Sequence, residues 1–251
     1  MKLRCKGSNG DMMTVRIIQE VCETFVPQKV LENYEVHSKN MTKREWNLLE
    51  EDEIWYELCF CILSANVRYE LASSTLKHLI TKGILNVEWI KKEKRSANII
   101  KNELSGSHFL PLKKNGQLRK YRYPRKRATQ IVKAAKTIYS GNRTIKKILQ
   151  ESKSDIEARQ FFVTKISGLG IKEASHFLRN IGYSNSLAII DVHILSFLQR
   201  FCLVRLERKK TLTNRIYLTL ERIMRNFAKF HNLVLSVLDL AIWQYMRNGI
   251  K

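Results

Sequence analysis

The chain is predicted to be mainly α-helical. Three observations predict this: 251 residues include only three prolines, strand-like alternation is scarce, and apolar residues recur at spacings of three and four. At this length the chain forms one large domain or two smaller ones, and it buries a substantial core without needing disulfides. It shows no repeat of fixed period and no low-complexity tract.

Taken in order, residues 1–40 form an amino-terminal segment to which no role can be given. "TKRE", Thr42 to Glu45, fits a capping box, in which a hydroxyl accepts from the third helical N–H and the acid reaches back. It leads into "WNLLEEDEIWYELCFCIL", whose Trp46, Leu49, Ile54, Leu58 and Leu63 form one buried face. The clearest break is the glycine-, proline- and lysine-rich region from Ser105 to Pro124. A second capping box, "SDIE" at Ser154 to Glu157, opens "ARQFFVTKI". "SGLG", residues 167–170, then forms a short turn where glycine takes backbone angles closed to other residues, and "IKEASHFLRNI" begins the next helix. The result is a helix-hairpin-helix. "TNRIYLTLERIMRNFAKF" and "NLVLSVLDLAIWQYM" are two further helices, the second apolar enough to be central.

Charge narrows the partners. Lys and Arg number 45 against 23 Asp and Glu, a net charge of +22, and such a surface attracts polyanions, nucleic acid first, through release of condensed counterions. "KKNGQLRKYRYPRKR", residues 113–127, has eight basic side chains, two tyrosines and no acid. It reads as a loop along a phosphate backbone or as a solvated basic loop with no fixed partner. A membrane-surface role is disfavoured, because these residues do not alternate with an apolar helical face. No stretch reaches about 18 uninterrupted apolar residues, and "MKLRCKGSNGDMMTVRII" does not read as a secretory signal. The five cysteines, Cys5, Cys22, Cys59, Cys61 and Cys202, are odd in number and lack a closely spaced group of four. They suggest neither a disulfide framework nor a four-cysteine cluster, and point to a reducing, intracellular compartment such as cytoplasm or nucleoid.

The chemistry-bearing residues cluster around the glycine turn. A tight turn at a helix amino terminus leaves N–H groups without internal partners, which suits a phosphate oxygen, directly or through a bound cation. Gly168 and Gly170 would let a backbone approach closely; the alternative is an ordinary helical corner that binds nothing. Lys172, facing the positive end of the helix dipole, is expected to lose its proton more readily than a free lysine, and an unprotonated amine is a nucleophile. A solvated phosphate-binding lysine is the other reading. Asp191, between "LAII" and "VHILSFL", occupies a helix-start position and caps backbone N–H groups. His176 and His193 lie nearby but show no ligand spacing, and read as packing or hydrogen-bonding residues.

"ISGLGIKEASHFLRNIGY" followed by "LAIIDVHIL" resembles the helix-hairpin-helix DNA glycosylases, and within them the type 2 8-oxoguanine DNA glycosylase/AP lyases. "FCILSANV", residues 60–67, is similar to that family's early helix-end motif, and "YPRKRATQIVKAA", residues 123–135, to its RA-x-x-I helix. The matches reach from about residue 55 to the end. The resemblance implies two interleaved helical lobes over residues 41–251, with a DNA-binding cleft between them. It implies a monomeric enzyme acting on double-stranded DNA containing oxidised guanine, with no cofactor and no metal in the chemistry. Lys172 aligns with the Schiff-base lysine and Asp191 with the catalytic aspartate. Gly168 and Gly170, with Arg125, Lys126 and Arg127, would grip the DNA backbone, and Trp243, Lys251 and Asn66 would contribute to the base pocket.

Two of these pocket residues have a plainer reading: Trp243 as core, Asn66 as a cap on the preceding helix. Val192 stands where the resemblance leads to a basic residue, and the spacing of Trp243, Gly249 and Lys251 departs from the family's tail. Two other function classes compete. One is a non-enzymatic DNA binder with Lys172 on a phosphate. The other is a glycosylase for a different damaged or mismatched base, although Cys202 is the only cysteine after residue 61 and so leaves no four-cysteine cluster. A glycosylase without lyase activity would not need Lys172.

Overall fold

The computed structural model describes residues 2–6, 12–17, 26–40, 45–201, 204–206 and 212–248. Among them twelve helices and three short strands are formed, so the chain is mainly α-helical. It divides into two compact units, Arg44–Tyr183 and Met1–Lys43 with Ser184–Lys251. The described residues among 1–40 therefore belong with the carboxy-terminal part of the chain.

The unit Arg44–Tyr183 contains α2 (Glu51–Ser64), α3 (Tyr69–Thr81), α4 (Val87–Lys92), α5 (Ser96–Ser105), α6 (Pro124–Ile138), α7 (Ile145–Glu151), α8 (Asp155–Lys165) and α9 (Ile171–Asn180). Helix α2 is its centre: Ile54, Trp55, Leu58, Cys59, Cys61, Ile62 and Leu63 are all fully buried. From Leu58 to Leu63 the helix is buried on every side and shows no single apolar stripe, and for that reason the predicted face named only part of it. The helix also starts later than predicted. Thr42 lies outside the described residues; Trp46 and Leu49 precede the first turn and are only half-buried. The observed start is Glu51, where the Glu50 N–H donates to Glu53 Oε2 at 2.8 Å. Trp46 instead packs edge-on against Tyr183, with 5.4 Å between ring centroids.

The predicted break at Ser105–Pro124 is a loop inside this unit. Phe109 is fully buried and exchanges backbone hydrogen bonds with Arg119 at 3.1 and 2.8 Å, and the Arg119 guanidinium donates to the carbonyls of Pro111 and Leu112. Tyr121 donates to the Leu63 carbonyl at 2.5 Å. Burial pushes its hydroxyl up to about 12, against the opposing pull of Arg127. Glycine and proline mark the turns of such a segment but do not reveal that it is anchored at both ends.

The second unit contains β1 (Lys2–Lys6), β2 (Met12–Ile17), α1 (Gln28–Asn40), α10 (Val192–Arg200), β3 (Val204–Leu206), α11 (Asn214–Phe230) and α12 (Leu235–Arg247). Its strands form an antiparallel sheet in the order β1-β2-β3, with Arg4 opposite Thr14 and Ile17 opposite Val204. This sheet was not predicted: one of its strands is three residues long and pairs with residues almost 190 positions away. Helix α12 packs against α1, α10 and α11, as its apolar sequence predicts, with Leu238, Ala241 and Ile242 fully buried. Asn33 on α1 donates to the Ala241 carbonyl at 3.3 Å. Among the described residues no helix is long and apolar enough to cross a membrane, and Cys59 and Cys61 are free thiols.

Candidate active site

Helices α8 and α9 form the predicted hairpin. Ser154 Oγ accepts from the Glu157 N–H at 3.2 Å, while the Glu157 carboxylate reaches one residue beyond the predicted box and accepts from the Lys153 N–H at 2.8 Å. The two helices are joined by Phe162 against Phe177, 4.8 Å between centroids, and by the buried Arg159 guanidinium donating to Ser175 Oγ at 3.1 Å. Ile166 and Leu169 bury their side chains beneath the turn.

The two turn glycines differ. Gly168 has φ +103°, a left-handed conformation that disfavours any side chain. A Cβ there would also lie 2.7 Å from the Gln130 side chain. The group that approaches Gly168 closely is thus the protein's own α6. Gly170 has an ordinary extended backbone, φ −87° and ψ −176°, and its N–H donates to Glu173 Oε2 at 3.2 Å.

Lys172 is the second residue of α9. Its side chain is 38 % exposed and its Nζ lies 3.8 Å from Glu173 Oε1. One carboxylate therefore spans the turn and the amine: one oxygen fixes Gly170, the other faces Lys172. One helical turn on, His176 packs edge-on against Phe60. Burial, reinforced by the Arg179 and Lys172 cations, pulls its imidazole down to about 3, so at neutral pH it is uncharged and has no proton to give as an imidazolium.

Of the three adjacent basic residues at the start of α6, Arg125 and Lys126 are exposed. Arg127 is not available to DNA: it is 3 % exposed, donating to the Ala65 carbonyl at 2.6 Å and to Gln130 Oε1 at 2.7 Å. An internal role replaces the predicted phosphate contact, because a buried guanidinium needs polar partners and finds them at the end of α2. Arg127 and Gln130 thereby join three separate segments: the end of "FCILSANV", the start of α6, and the hairpin at Gly168. Asn66 follows the α2 cap Ala65 with φ +60°, a left-handed position where asparagine commonly ends a helix; its side chain is exposed.

In the other unit, Asp191 caps α10, with Oδ1 accepting from the N–H groups of His193 and Ile194, both at 2.9 Å. The extended stretch leading to it is fixed by side chains that sequence reasoning did not single out. Asp239 Oδ2 accepts from the Ile189 N–H at 2.9 Å, and Glu221 Oε1 from Ala188 at 3.2 Å. The Tyr217 hydroxyl accepts from Ile190 at 3.2 Å and donates to the Ala188 carbonyl at 2.7 Å. All three side chains are buried. The available signal was an aspartate inside "LSVLDLAIW": a buried acid in an apolar helix needs a donor to satisfy it.

Trp243 is half-buried on α12, 6.3 Å from the His193 ring and with the Arg247 guanidinium 4.8 Å over its face. It is neither sealed core nor a bare stacking surface. Val192, beside Asp191, is 71 % exposed. Lys251 lies outside the described residues. Lys172 and Asp191 fall in different units.

An eleven-residue helix, a tight glycine turn and a second helix with a lysine in its first turn define a helix-hairpin-helix protein. The chain belongs to the 8-oxoguanine DNA glycosylase family, whose pattern matches residues 37–233. It is 34 % identical to the 8-oxoguanine DNA glycosylase/AP lyase of Methanocaldococcus jannaschii over 95 % of this chain and 98 % of the relative. Among solved structures it is similar to the Methanocaldococcus jannaschii 8-oxoguanine glycosylase/lyase in complex with a 15mer DNA containing 8-oxoguanine. The TM-score is 0.70 and the identity 32 %, covering 89 % of this chain and 98 % of that one. The 8-oxoguanine DNA glycosylase of Thermotoga maritima superposes with a TM-score of 0.65 at 26 % identity, covering 88 % and 97 %.

Proposed function

We propose that this protein excises 8-oxoguanine from double-stranded DNA and then cuts the strand at the resulting abasic site. Its lysine nucleophile is Lys172. The observation that carries the reading is the position of this amine: partly exposed, in the first turn of α9, directly after a hairpin built around a left-handed glycine. A damaged nucleotide leaves the stack at a cost of a few kcal/mol. The unprotonated amine then forms a C–N bond to the anomeric carbon as the glycosidic bond breaks and its electron pair departs with the base. The nitrogen then gives up one proton, and as its electron pair forms the C=N bond the sugar ring opens and the ring oxygen takes up a proton, giving the protonated imine. Removal of a proton from the adjacent carbon then expels the 3′ phosphate by β-elimination.

Asp191 is assigned the stabilisation of positive charge developing on the sugar and a part in deprotonating the lysine. Capping fits that role, since both bonds fixing the carboxylate fall on Oδ1. Arg125 and Lys126 serve the DNA backbone, as does the hairpin, whose first-turn N–H groups lack acceptors one turn back. Trp243 and Lys251 belong to the base pocket in this reading. The protein acts as a monomer inside the cell.

Borohydride trapping on a labelled duplex with one 8-oxoguanine tests this. The intact protein is expected to give a covalent adduct that Lys172→Gln abolishes. Trapping confined to an abasic duplex would keep the lyase and discard the lesion; DNA binding without any adduct would favour a non-enzymatic role.

A further inference from the structure

A second cluster of chemically capable side chains lies away from the hairpin, at the foot of the basic loop. His78 is in the last turn of α3, Glu103 in the last turn of α5, and His108 in the segment that follows. His78 Nε2 and Glu103 Oε2 are 2.8 Å apart. The His78 and His108 rings lie parallel, 7° between planes and 5.0 Å between centroids. One ligand atom from each of the three residues lies within 4.8 Å of the other two. We propose that His78, Glu103 and His108 bind one divalent transition-metal ion, Zn²⁺ foremost, which pins the foot of the basic loop to α3 and α5.

Two imidazoles and a carboxylate are the donors that zinc takes, and three protein ligands leave its fourth position to water. Zinc bonds of about 2.0–2.2 Å set tetrahedral donors roughly 3.4 Å apart, so the widest pair must close by at most about 1.4 Å. The surroundings favour that closure. His78 and Glu103 are partly exposed, at 22 % and 30 %, and already meet. His108 is exposed, while its backbone is fixed by buried Phe109 next to it and by the Leu110 N–H donating to Ser74 Oγ on α3 at 2.9 Å. At position 106 a Cβ would fall 2.0 Å from His108 Nε2, so a side chain there would push the imidazole aside. The ring therefore lies against the bare backbone of Gly106. Lys82, which lies close enough to act on Glu103, opposes a cation and sets this site below four-ligand structural zinc sites in affinity.

Metal-free protein of the full chain would be titrated with ZnCl₂ by calorimetry and with Co²⁺ by visible absorption. One equivalent is expected, with d–d bands of low-coordinate Co²⁺ and no thiolate charge-transfer band. His108→Ala should weaken binding at least about tenfold, as loss of a ligand does at least what loss of an outer-shell partner does. Gly106→Ala, which displaces the ring without removing a donor, should weaken it in the same direction. The assignment is overturned if the intact protein takes up no metal, if both variants bind as tightly as it does, or if the cobalt spectrum reports thiolate ligation. Circular dichroism of the two variants identifies a loss caused by unfolding, and retained helicity with lost binding sustains the site.

Discussion

The hairpin that carries Lys172 and the stretch that delivers Asp191 are built in opposite ways. The hairpin is mostly local: Ser154 and Glu157 start its first helix, Gly168 turns the chain, and Glu173 closes the turn from three residues away. The stretch before Asp191 is held from outside, by Tyr217 and Glu221 on α11 and by Asp239 on α12, residues 27 to 50 positions distant. A local device tolerates change elsewhere in the chain. A segment suspended from three buried side chains depends on each of them, because a backbone N–H buried without an acceptor costs about 1–3 kcal/mol.

The sharpest way to break this contrast is Tyr217→Phe. One hydroxyl serves both the Ile190 N–H and the Ala188 carbonyl, so its loss should destabilise by about 2–5 kcal/mol. In lesion-cleavage assays at a temperature where the variant stays folded, the rate should fall, with duplex binding changed much less. Equal denaturation midpoints for variant and parent would refute the suspended-segment picture.

The hairpin is tested next, by its two glycines. Gly168→Ala combines a left-handed conformation with a contact of 2.7 Å to Gln130 and should cost about 2–3 kcal/mol. Gly170→Ala meets only the flexible end of Glu173, at 3.0 Å, and should cost under about 1 kcal/mol. Urea denaturation of the pair decides it. Similar losses for both would mean that the turn depends on something other than the backbone of Gly168.

This division explains what the sequence revealed. The Ser154 cap, the glycine turn, Lys172 at the start of α9 and Asp191 at the start of α10 are local features and stand where the spacing put them, whereas the Thr42–Glu45 box did not mark the start of α2, which begins at Glu51. Arg127 was misread because a basic run gives no sign of which member turns inward; its partners are contributed by α2 and by Gln130. The pairing of β2 with β3, the anchoring of the Ser105–Pro124 loop and the supports of Asp191 all join distant positions, which neither periodicity nor propensity reports. Asp239 was the exception, an acid in an apolar helix whose need for a donor was visible before its partner was.

His176 gives the smallest and most specific test, because it lies on the local side of the comparison yet depends on packing against α2. Its imidazole is pulled to about 3 by burial, then by Arg179 and Lys172, whereas in the unfolded chain it titrates near 6.5. Between these values the unfolded state binds a proton that the native state does not. Stability must therefore fall as pH drops below about 6.5, by at most about 1.4 kcal/mol per pH unit. His176→Gln removes that proton from the balance. The variant should lose some stability at pH 7 but show a shallower decline to pH 5, a range in which most carboxylates remain ionised. If urea midpoints of parent and variant instead decline in parallel, His176 is protonated in the native state, and the enclosure of α9 against α2 is looser than the Phe60 contact indicates.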